Sequence, residues 1–185
     1  MAVEFPQSGA KNFKFKELKV YASTEWLADN KKKYRQVFDR YEATYIYAEL
    51  SFYNKLFDVE DWEIEVELRC FTLKKGKKEL CLLPLRRKVS KYDNIVYIRE
   101  GWGNKTEGAF WKKGTYFWEA YIEGEKVASK YFYVEDAGQP TTLDTNPYLS
   151  VESLKLYEGP YDDLIEEERT YYREFSCEET RYIYV

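Results

Sequence analysis

Several segments of the chain alternate between apolar and polar side chains, and this alternation limits the folds that the chain can adopt. A period of two places successive side chains on opposite faces of a β-strand, so that one face packs on a core and the other meets water. The core-facing residues that this phase predicts are Trp62, Ile64, Val66, Leu68, Trp118, Ala120, Phe132 and Val134. The alternation therefore predicts an all-β fold.

Turn-forming residues separate the strands and set their number. Gly76 lies in a lysine-rich turn and Gly124 lies between two glutamates, so that each predicts a β-hairpin. Pro84 predicts an edge strand or a bend, because proline has no N–H to donate to a sheet. The predicted strands span 14–21, 44–53, 62–73, 78–83, 94–99, 115–122 and 127–135. Seven short strands with turns between them favour a Greek-key antiparallel β-sandwich.

The pattern of the N-terminal part recurs near the C-terminus. A Leu-Lys-Val-Tyr sequence returns as Leu-Lys-Leu-Tyr, and a Tyr-Ile-Tyr sequence returns unchanged. The segments that recur at a nearly constant offset are 18–21 as 154–157, 34–38 as 171–175, and 45–47 as 182–184. Matching apolar positions at a fixed period predict tandem domains. The alternative is a chance similarity between two tyrosine-rich strand pairs.

The repeat divides the chain into a β-sandwich domain at 1–135, a linker at 136–150 and a truncated start of a second related repeat at 151–185. Val185 corresponds to Ala48, in the middle of a strand, so we expect the chain to be a fragment of a longer protein. The C-terminal segment then docks on the first domain, pairs with the same segment of another chain to form a dimer, or stays mobile. Unpaired strand edges favour the first two outcomes.

The composition argues against several kinds of site. The chain has no histidine, which removes His-based catalytic triads and His metal ligands. Its glycines form no phosphate-binding loop, and Cys70, Cys81 and Cys177 lack the spacing of a zinc site. The net charge of -4 comes from acids near the C-terminus, so no basic surface for nucleic acid is indicated. We expect no enzymatic activity, no cofactor, no metal and no nucleic-acid partner.

The start of the chain lacks the features of an export signal, and no segment is apolar enough for a membrane span. We therefore expect a cytoplasmic protein with no membrane partner. Its cysteines are then free thiols in a reducing compartment, although Cys70 and Cys81 lie in flanking strands and could face each other.

Aromatic residues make up 19% of the chain and supply its one site-like pattern. The aromatic residues that lie on strand faces opposite the core are Tyr45, Tyr47, Tyr53, Phe117, Tyr121, Tyr131 and Tyr133. If their strands are neighbours, they form one aromatic surface, and an exposed surface of that extent marks a partner site. The alternative is that a neighbouring repeat, a loop or long lysine side chains cover it.

Residues 114–134 resemble the closing hairpin of bacterial immunoglobulin-like domains. In such domains Gly-Thr-Tyr opens one strand, a glycine makes the turn, and a short strand with Phe and Val ends the domain; here these are Gly114-Thr115-Tyr116, Gly124, Phe132 and Val134. The resemblance implies an immunoglobulin-like sandwich. Tandem domains of this kind are also similar to the N-terminal accessory region of bacterial AAA+ ATPases named after stage V sporulation protein K, which implies an ATPase module outside this chain.

Two hypotheses about function follow. The first is a non-catalytic β-sandwich that binds a protein partner or a neighbouring repeat, or that spaces a further module, in the N-terminal part of a larger protein. The second is a carbohydrate- or ligand-binding module that uses the aromatic face. An enzyme that uses paired carboxylates is a third, less favoured hypothesis. A flat, open aromatic strip would favour the second hypothesis, whereas a covered one would favour the first.

Overall fold

The computed structural model describes residues 3–4, 11–23, 32–138, 153–160 and 163–185. The strands are β1 (Val3–Glu4), β2 (Phe13–Ser23), β3 (Val37–Asp39), β4 (Tyr45–Asn54), β5 (Trp62–Thr72), β6 (Lys78–Val89), β7 (Ile95–Gly103), β8 (Gly114–Ile122), β9 (Glu125–Glu135), β10 (Leu156–Gly159), β11 (Tyr171–Tyr172) and β12 (Tyr182–Tyr184). One short 3₁₀ helix spans Glu166–Glu168. In the described part of the chain the fold is all-β, as the alternation predicts. Most of the predicted linker, from residue 139 to 150, lies outside the described residues.

The strands form three sheets. The large sheet has the order β1-β9-β8-β5-β6, and β3 also pairs with β9. The small sheet has the order β2-β4-β7, and the C-terminal sheet has the order β11-β10-β12. The described strand pairs are antiparallel except for β3 with β9, which is parallel. We call the large and small sheets together the first domain.

One core lies between the large and small sheets. The small sheet contributes Leu18, Ile46 and Phe52, and the large sheet contributes residues such as Leu68 and Trp118. All of the predicted core residues except Trp62 are fully buried, while Glu63 and Glu65 between them on β5 are exposed, so the predicted strand register is right. Trp62 is half-buried at the start of β5, where its indole N–H donates to Asn54 at 3.0 Å.

Two strands extend further than the sequence predicts. β6 continues through Pro84 to Val89, and β7 continues to Gly103. Proline is tolerated within β6 because this strand lies at the edge of the large sheet, which agrees with the predicted edge position but not with the predicted end at residue 83. The longer β7 brings Gly101 opposite Tyr47 in the small sheet.

Candidate functional site: two aromatic faces and a junction

The seven aromatic residues predicted to form one surface lie on two opposite faces of the first domain. Tyr45, Tyr47 and Tyr53 lie on β4, on the outer face of the small sheet. The members on the outer face of the large sheet are Phe117, Tyr121, Tyr131 and Tyr133. The expectation of a single aromatic surface is wrong, because the alternation shows which face a side chain takes but not which strands are neighbours.

Three tyrosines pack together on the outer face of the small sheet. Tyr21 on β2 and Tyr47 on β4 are register partners, and their rings stack with centroids 5.0 Å apart. Tyr34 pairs with Tyr21 through an isolated β-bridge and meets its ring edge-on, 5.9 Å away. A side-chain carbon at Gly101 would lie 2.7 Å from the Tyr47 ring, so only glycine leaves room for this stack. Lys19 places its ammonium 4.5 Å from the centre of the Tyr34 ring.

A buried carboxylate anchors this cluster. Glu49 forms an ion pair with Lys32 at 2.8 Å and with Arg99 at 3.0 Å, and the Tyr34 hydroxyl donates to it at 2.7 Å. Burial alone would raise the pKa of Glu49, but the hydrogen bonds from Lys32 and Tyr34 hold it below its usual value. The carboxylate is thus charged, and it is held by Arg99 on β7 and by Lys32 and Tyr34 from the segment that pairs with the edge strand β2.

The outer face of the large sheet carries a similar arrangement. Phe71 and Phe117 stack with centroids 5.0 Å apart, and the ammonium of Lys77 lies 4.1 Å from the centre of the Phe71 ring. Glu119 is buried, forms ion pairs with Lys77 and Lys126, and accepts a hydrogen bond from the Tyr121 hydroxyl at 2.8 Å.

Burial and the hydrogen bond to Glu119 raise the pKa of Tyr121 to about 12. The phenol therefore stays protonated at neutral pH and acts as a donor to the carboxylate. The side chain of Lys77 covers the Phe71 and Phe117 rings on this face. Cover by long lysine side chains is one of the alternatives to an open aromatic surface.

Little aromatic surface remains open on either face. Tyr45, Tyr47 and Phe117 are buried, and Tyr121 is half-buried. Tyr53, Tyr131 and Tyr133 are exposed, each by about two-fifths. Tyr53 is separated from the other two by the whole thickness of the first domain. Of the seven residues, the structure brings together Tyr131 and Tyr133, two positions apart on β9, as an open aromatic pair. Tyr53 has a different exposed neighbour, Tyr97 on β7, and the Lys16 ammonium lies 6.0 Å and 5.7 Å from the centres of these two rings.

A second cluster of three tyrosines lies in the C-terminal sheet. Tyr157 on β10 pairs in register with Tyr184 on β12, and their rings stack with centroids 5.3 Å apart. Tyr171 on β11 pairs in register with Tyr157 and meets its ring edge-on, 6.0 Å away. Lys155 lies 5.0 Å from the centre of the Tyr171 ring. We call the two clusters the first triad (Tyr21, Tyr34, Tyr47) and the second triad (Tyr157, Tyr171, Tyr184).

The C-terminal sheet packs on the first domain at the segment that precedes β4. Arg35 is buried there, with its guanidinium 3.6 Å from the centre of the Tyr172 ring. The same guanidinium donates to the backbone carbonyl of Glu174 and lies 3.5 Å from the carboxylate of Glu158. Lys33 adds a second ion pair to Glu158 at 3.1 Å. We call this contact between the two parts of the chain the junction.

The junction continues on the other side of Arg35. Arg173 forms an ion pair with Asp39 at 3.1 Å, and its backbone N–H donates to the carboxylate of Glu42. Gln36 donates to Glu179 at 2.9 Å. Burial raises the pKa of Glu42 to about 7, although the nearby Arg35 favours its charged form. Sequence reasoning missed these residues, because no spacing distinguishes them from the other charged residues of the chain.

Neither face nor junction resembles a metal centre. Within the described residues, no group of three or more His, Cys, Asp or Glu side chains is placed to hold a metal ion. The described helix is too short to cross a membrane, and no other described helix is long and apolar enough to do so.

Among known proteins, the chain has matches in solved structures but none in family models or curated proteins. No family model matches the chain. No curated protein matches it. Among solved structures it is similar to the alkylpurine DNA glycosylase AlkC of Pseudomonas fluorescens, bound to DNA containing an abasic site analog, with a TM-score of 0.44 and 13% identity over 66% of this chain and 30% of that chain.

A β-glucosidase from Listeria innocua, in complex with gluconolactone, is similar with a TM-score of 0.39 and 11% identity, over 69% of this chain and 17% of that chain. The chain thus spans less than a third of either protein. At these TM-scores neither similarity carries an argument about the fold or the function of this chain.

Proposed function

We propose that this chain is a non-catalytic, immunoglobulin-like β-sandwich domain followed by the start of a second, related repeat. Such repeats serve as interaction or spacer domains within the N-terminal part of a larger protein. One repeat holds the next in a fixed position and presents a sheet face for the next layer. The observation that carries the proposal is the repetition of the tyrosine triad on the two sides of the junction.

The two triads agree in three separate respects. Each has a stacked pair of register partners on two antiparallel strands, and each has a third tyrosine that meets the stack edge-on from a short paired segment. Each also has a lysine over the third ring, Lys19 in the first and Lys155 in the second. Agreement in pairing, ring geometry and cation placement supports common descent of the two segments over chance similarity.

The face of the C-terminal sheet opposite the second triad carries Tyr172 and Glu158, which contact Arg35 at the junction, and Ile183, the register partner of Glu158. The equivalence of the triads assigns a role to the part of this face that the junction leaves open. Leu18 and Ile46 lie on this face in the first domain and are 1% and 0% exposed, because the large sheet covers them. Their counterparts, Leu154 and Ile183, are 74% and 51% exposed. A face built like a core face fits the apolar inner face of another β-sheet. We therefore propose that a sheet of this kind, from a neighbouring repeat or a protein partner, is what the C-terminal sheet binds.

The junction supports the spacer part of the proposal. A buried arginine that contacts an aromatic ring, a backbone carbonyl and a carboxylate fixes orientation more strongly than a flexible linker does. On the resemblance noted above, the larger protein would carry an AAA+ ATPase module, and that part of the proposal rests on the resemblance alone. A ligand-binding role is supported by two small open pairs on opposite faces, Tyr131 with Tyr133 and Tyr53 with Tyr97, and each is a smaller surface than a carbohydrate platform offers.

The test of the interaction face uses the full chain and a dye that fluoresces on apolar protein surfaces. We expect Ile183→Glu to lower the dye fluorescence several-fold because the side chain is half-exposed, with a modest fall in the melting temperature because the new carboxylate lies opposite Glu158 on β10. Val59→Glu is the matched control, since Val59 is exposed in a turn away from the C-terminal sheet and should leave the signal unchanged. Equal fluorescence in all three proteins would overturn the assignment.

Sedimentation of the same proteins identifies the occupant of the face. A dimer that Ile183→Glu dissolves would show that a second copy covers the apolar face. A monomer that binds the dye would show that the face is open in the isolated chain, so that its partner is a neighbouring repeat or a different protein.

A further inference from the structure

Two cysteines of the first domain face each other across neighbouring strands. Cys70 on β5 and Cys81 on β6 are direct register partners in the antiparallel pair. Both side chains belong to the core, and both are free thiols. Neither residue takes part in the aromatic faces or in the junction.

The placement of this pair is close to what a disulfide requires. Directly opposed residues of antiparallel strands have Cβ atoms about 4.5–5.5 Å apart. A disulfide needs a Cβ separation of about 3.5–4.5 Å, so a small approach of the strands is enough. The register shifts between Cys70 and Phe71, directly beside the pair, and this irregularity allows the backbone to adjust locally as the two sulfurs approach.

The position of β6 supplies a path for a reagent. This strand is the last of the large sheet, so in the described part of the chain nothing pairs with its outer edge. Burial raises the pKa of the Cys70 thiol well above its ordinary value, which keeps the closed pair unreactive. Edge strands open locally at lower free energy than central strands. Opening of β6 exposes Cys81 first, because Cys70 lies on the inner strand β5.

We propose that Cys70 and Cys81 form a dithiol site that closes to a cross-strand disulfide by exchange with a small disulfide such as oxidised glutathione. The thiolate of Cys81 attacks one sulfur of the oxidant and releases one glutathione thiolate. The thiolate of Cys70 then attacks the Cys81 sulfur and releases the second glutathione. Two protein thiols are oxidised to one disulfide, and one glutathione disulfide is reduced to two thiols.

The bond would fix the open edge of the large sheet. An edge strand presents unpaired N–H and C=O groups on which another strand can add. A covalent link to β5 keeps β6 in its register and lowers the fraction of time for which it is open. The site therefore couples the redox state of the surroundings to the stability of the sheet edge.

The test uses the full chain with Cys177→Ser, which removes the exposed third thiol and its own reaction with glutathione. The protein is incubated with oxidised glutathione, with and without urea below the unfolding transition, and free thiols are then alkylated under denaturing conditions. We expect the alkylated fraction of Cys70 and Cys81 to fall at least tenfold together. The intact mass should lose two hydrogens, and peptide mapping should show a 70–81 cross-link.

Three controls separate the disulfide from other products. Cys81→Ser in the same background should show neither cross-link nor mass loss. A reductant should restore both thiols. The oxidised protein should also show slower hydrogen exchange in β6. Two free thiols after incubation with urea, or glutathione bound to one cysteine without a cross-link, would overturn the proposal.

Discussion

The guanidinium of Arg35 lies over the ring of Tyr172, 3.6 Å from its centre, and this contact joins the first domain to the C-terminal sheet. Arg35 belongs to the segment whose backbone pairs with β2 at the edge of the small sheet, and Tyr172 lies on β11 beside the second triad. The two residues therefore link the two tyrosine triads through a buried cation. In a tandem array, such a contact fixes the angle between one repeat and the next.

Removal of Arg35 should release the C-terminal sheet. In Arg35→Ala, Glu158 loses one of its two cationic partners at the junction. Breaking a buried ion pair costs on the order of 3 kcal/mol; here Lys33 still partners Glu158, but the contact with the Tyr172 ring and the hydrogen bond to Glu174 are lost together with the ion pair. We expect hydrogen exchange of the β10 amides to accelerate by about a hundredfold, while exchange in β5 stays unchanged.

Arg87→Ala is the matched control for that experiment, because Arg87 is an exposed arginine on β6. It should leave the exchange of β10 as it is in the full chain. If the β10 amides exchange at the same rate in Arg35→Ala and in Arg87→Ala, Arg35 contributes nothing to the docking of the C-terminal sheet.

The core register predicts the cost of a truncation at Trp118. This side chain is fully buried between the large and small sheets. Trp118→Ala should lower the free energy of unfolding by about 3–5 kcal/mol in urea denaturation, because it leaves a large cavity in the core. Tyr92→Ala, at an exposed turn residue, should change it by less than about 0.5 kcal/mol. A loss below 1 kcal/mol for Trp118→Ala would show that the core is not where the structure places it.

The sequence predicts this core but not the surfaces around it. The alternation from Trp62 to Cys70 fixes which side chains point inward, since the period of a strand is two whatever its neighbours are. It cannot show that β4 and β8 belong to different sheets, because strand pairing depends on contacts far apart along the chain. The single aromatic surface expected from Tyr45 to Tyr133 is therefore two separate surfaces.

The junction was beyond sequence reasoning for a related reason. The chain has 29 basic and 33 acidic residues, and no spacing selects Arg35 and Glu158 from among them. The recurrence of Tyr21 and Tyr47 as Tyr157 and Tyr184 was visible, because tyrosines at matched offsets stand out in a single sequence. The resemblance between these two segments can thus be read from side-chain types, whereas the contact between Arg35 and Tyr172 cannot.

The junction also predicts a dependence of stability on pH. Burial raises the pKa of Glu42 from 4.5 to about 7 in the folded protein, so the folded state binds a proton more tightly than the unfolded state. The stabilisation is complete below about pH 4.5 and is lost as the pH rises through about 7. The charged groups that face Glu42 are Arg35, Asp39 and Arg173.

Glu42→Gln isolates this contribution, because glutamine keeps the size of the side chain and does not titrate. Between pH 5 and 7.5, we expect the free energy of unfolding to fall less steeply in Glu42→Gln than in the protein with Glu42 intact. Glu158 has a lowered pKa, so its own stabilisation is lost only as the pH falls toward the acid range, outside this window. Glu107→Gln, at an exposed loop position, serves as the control. Parallel pH profiles for Glu42→Gln and the full chain would show that Glu42 titrates normally.

The most direct test of the account measures a distance between the first domain and the C-terminal sheet. Nitroxide labels are placed on Cys177, which is exposed, and on Tyr92→Cys in the turn between β6 and β7, while Cys70 and Cys81 are buried from the label. The account predicts one narrow distance distribution in pulsed electron paramagnetic resonance, which broadens in Arg35→Ala and stays narrow in Arg87→Ala. A broad distribution in the protein with Arg35 intact, or a narrow one that survives Arg35→Ala, would contradict it.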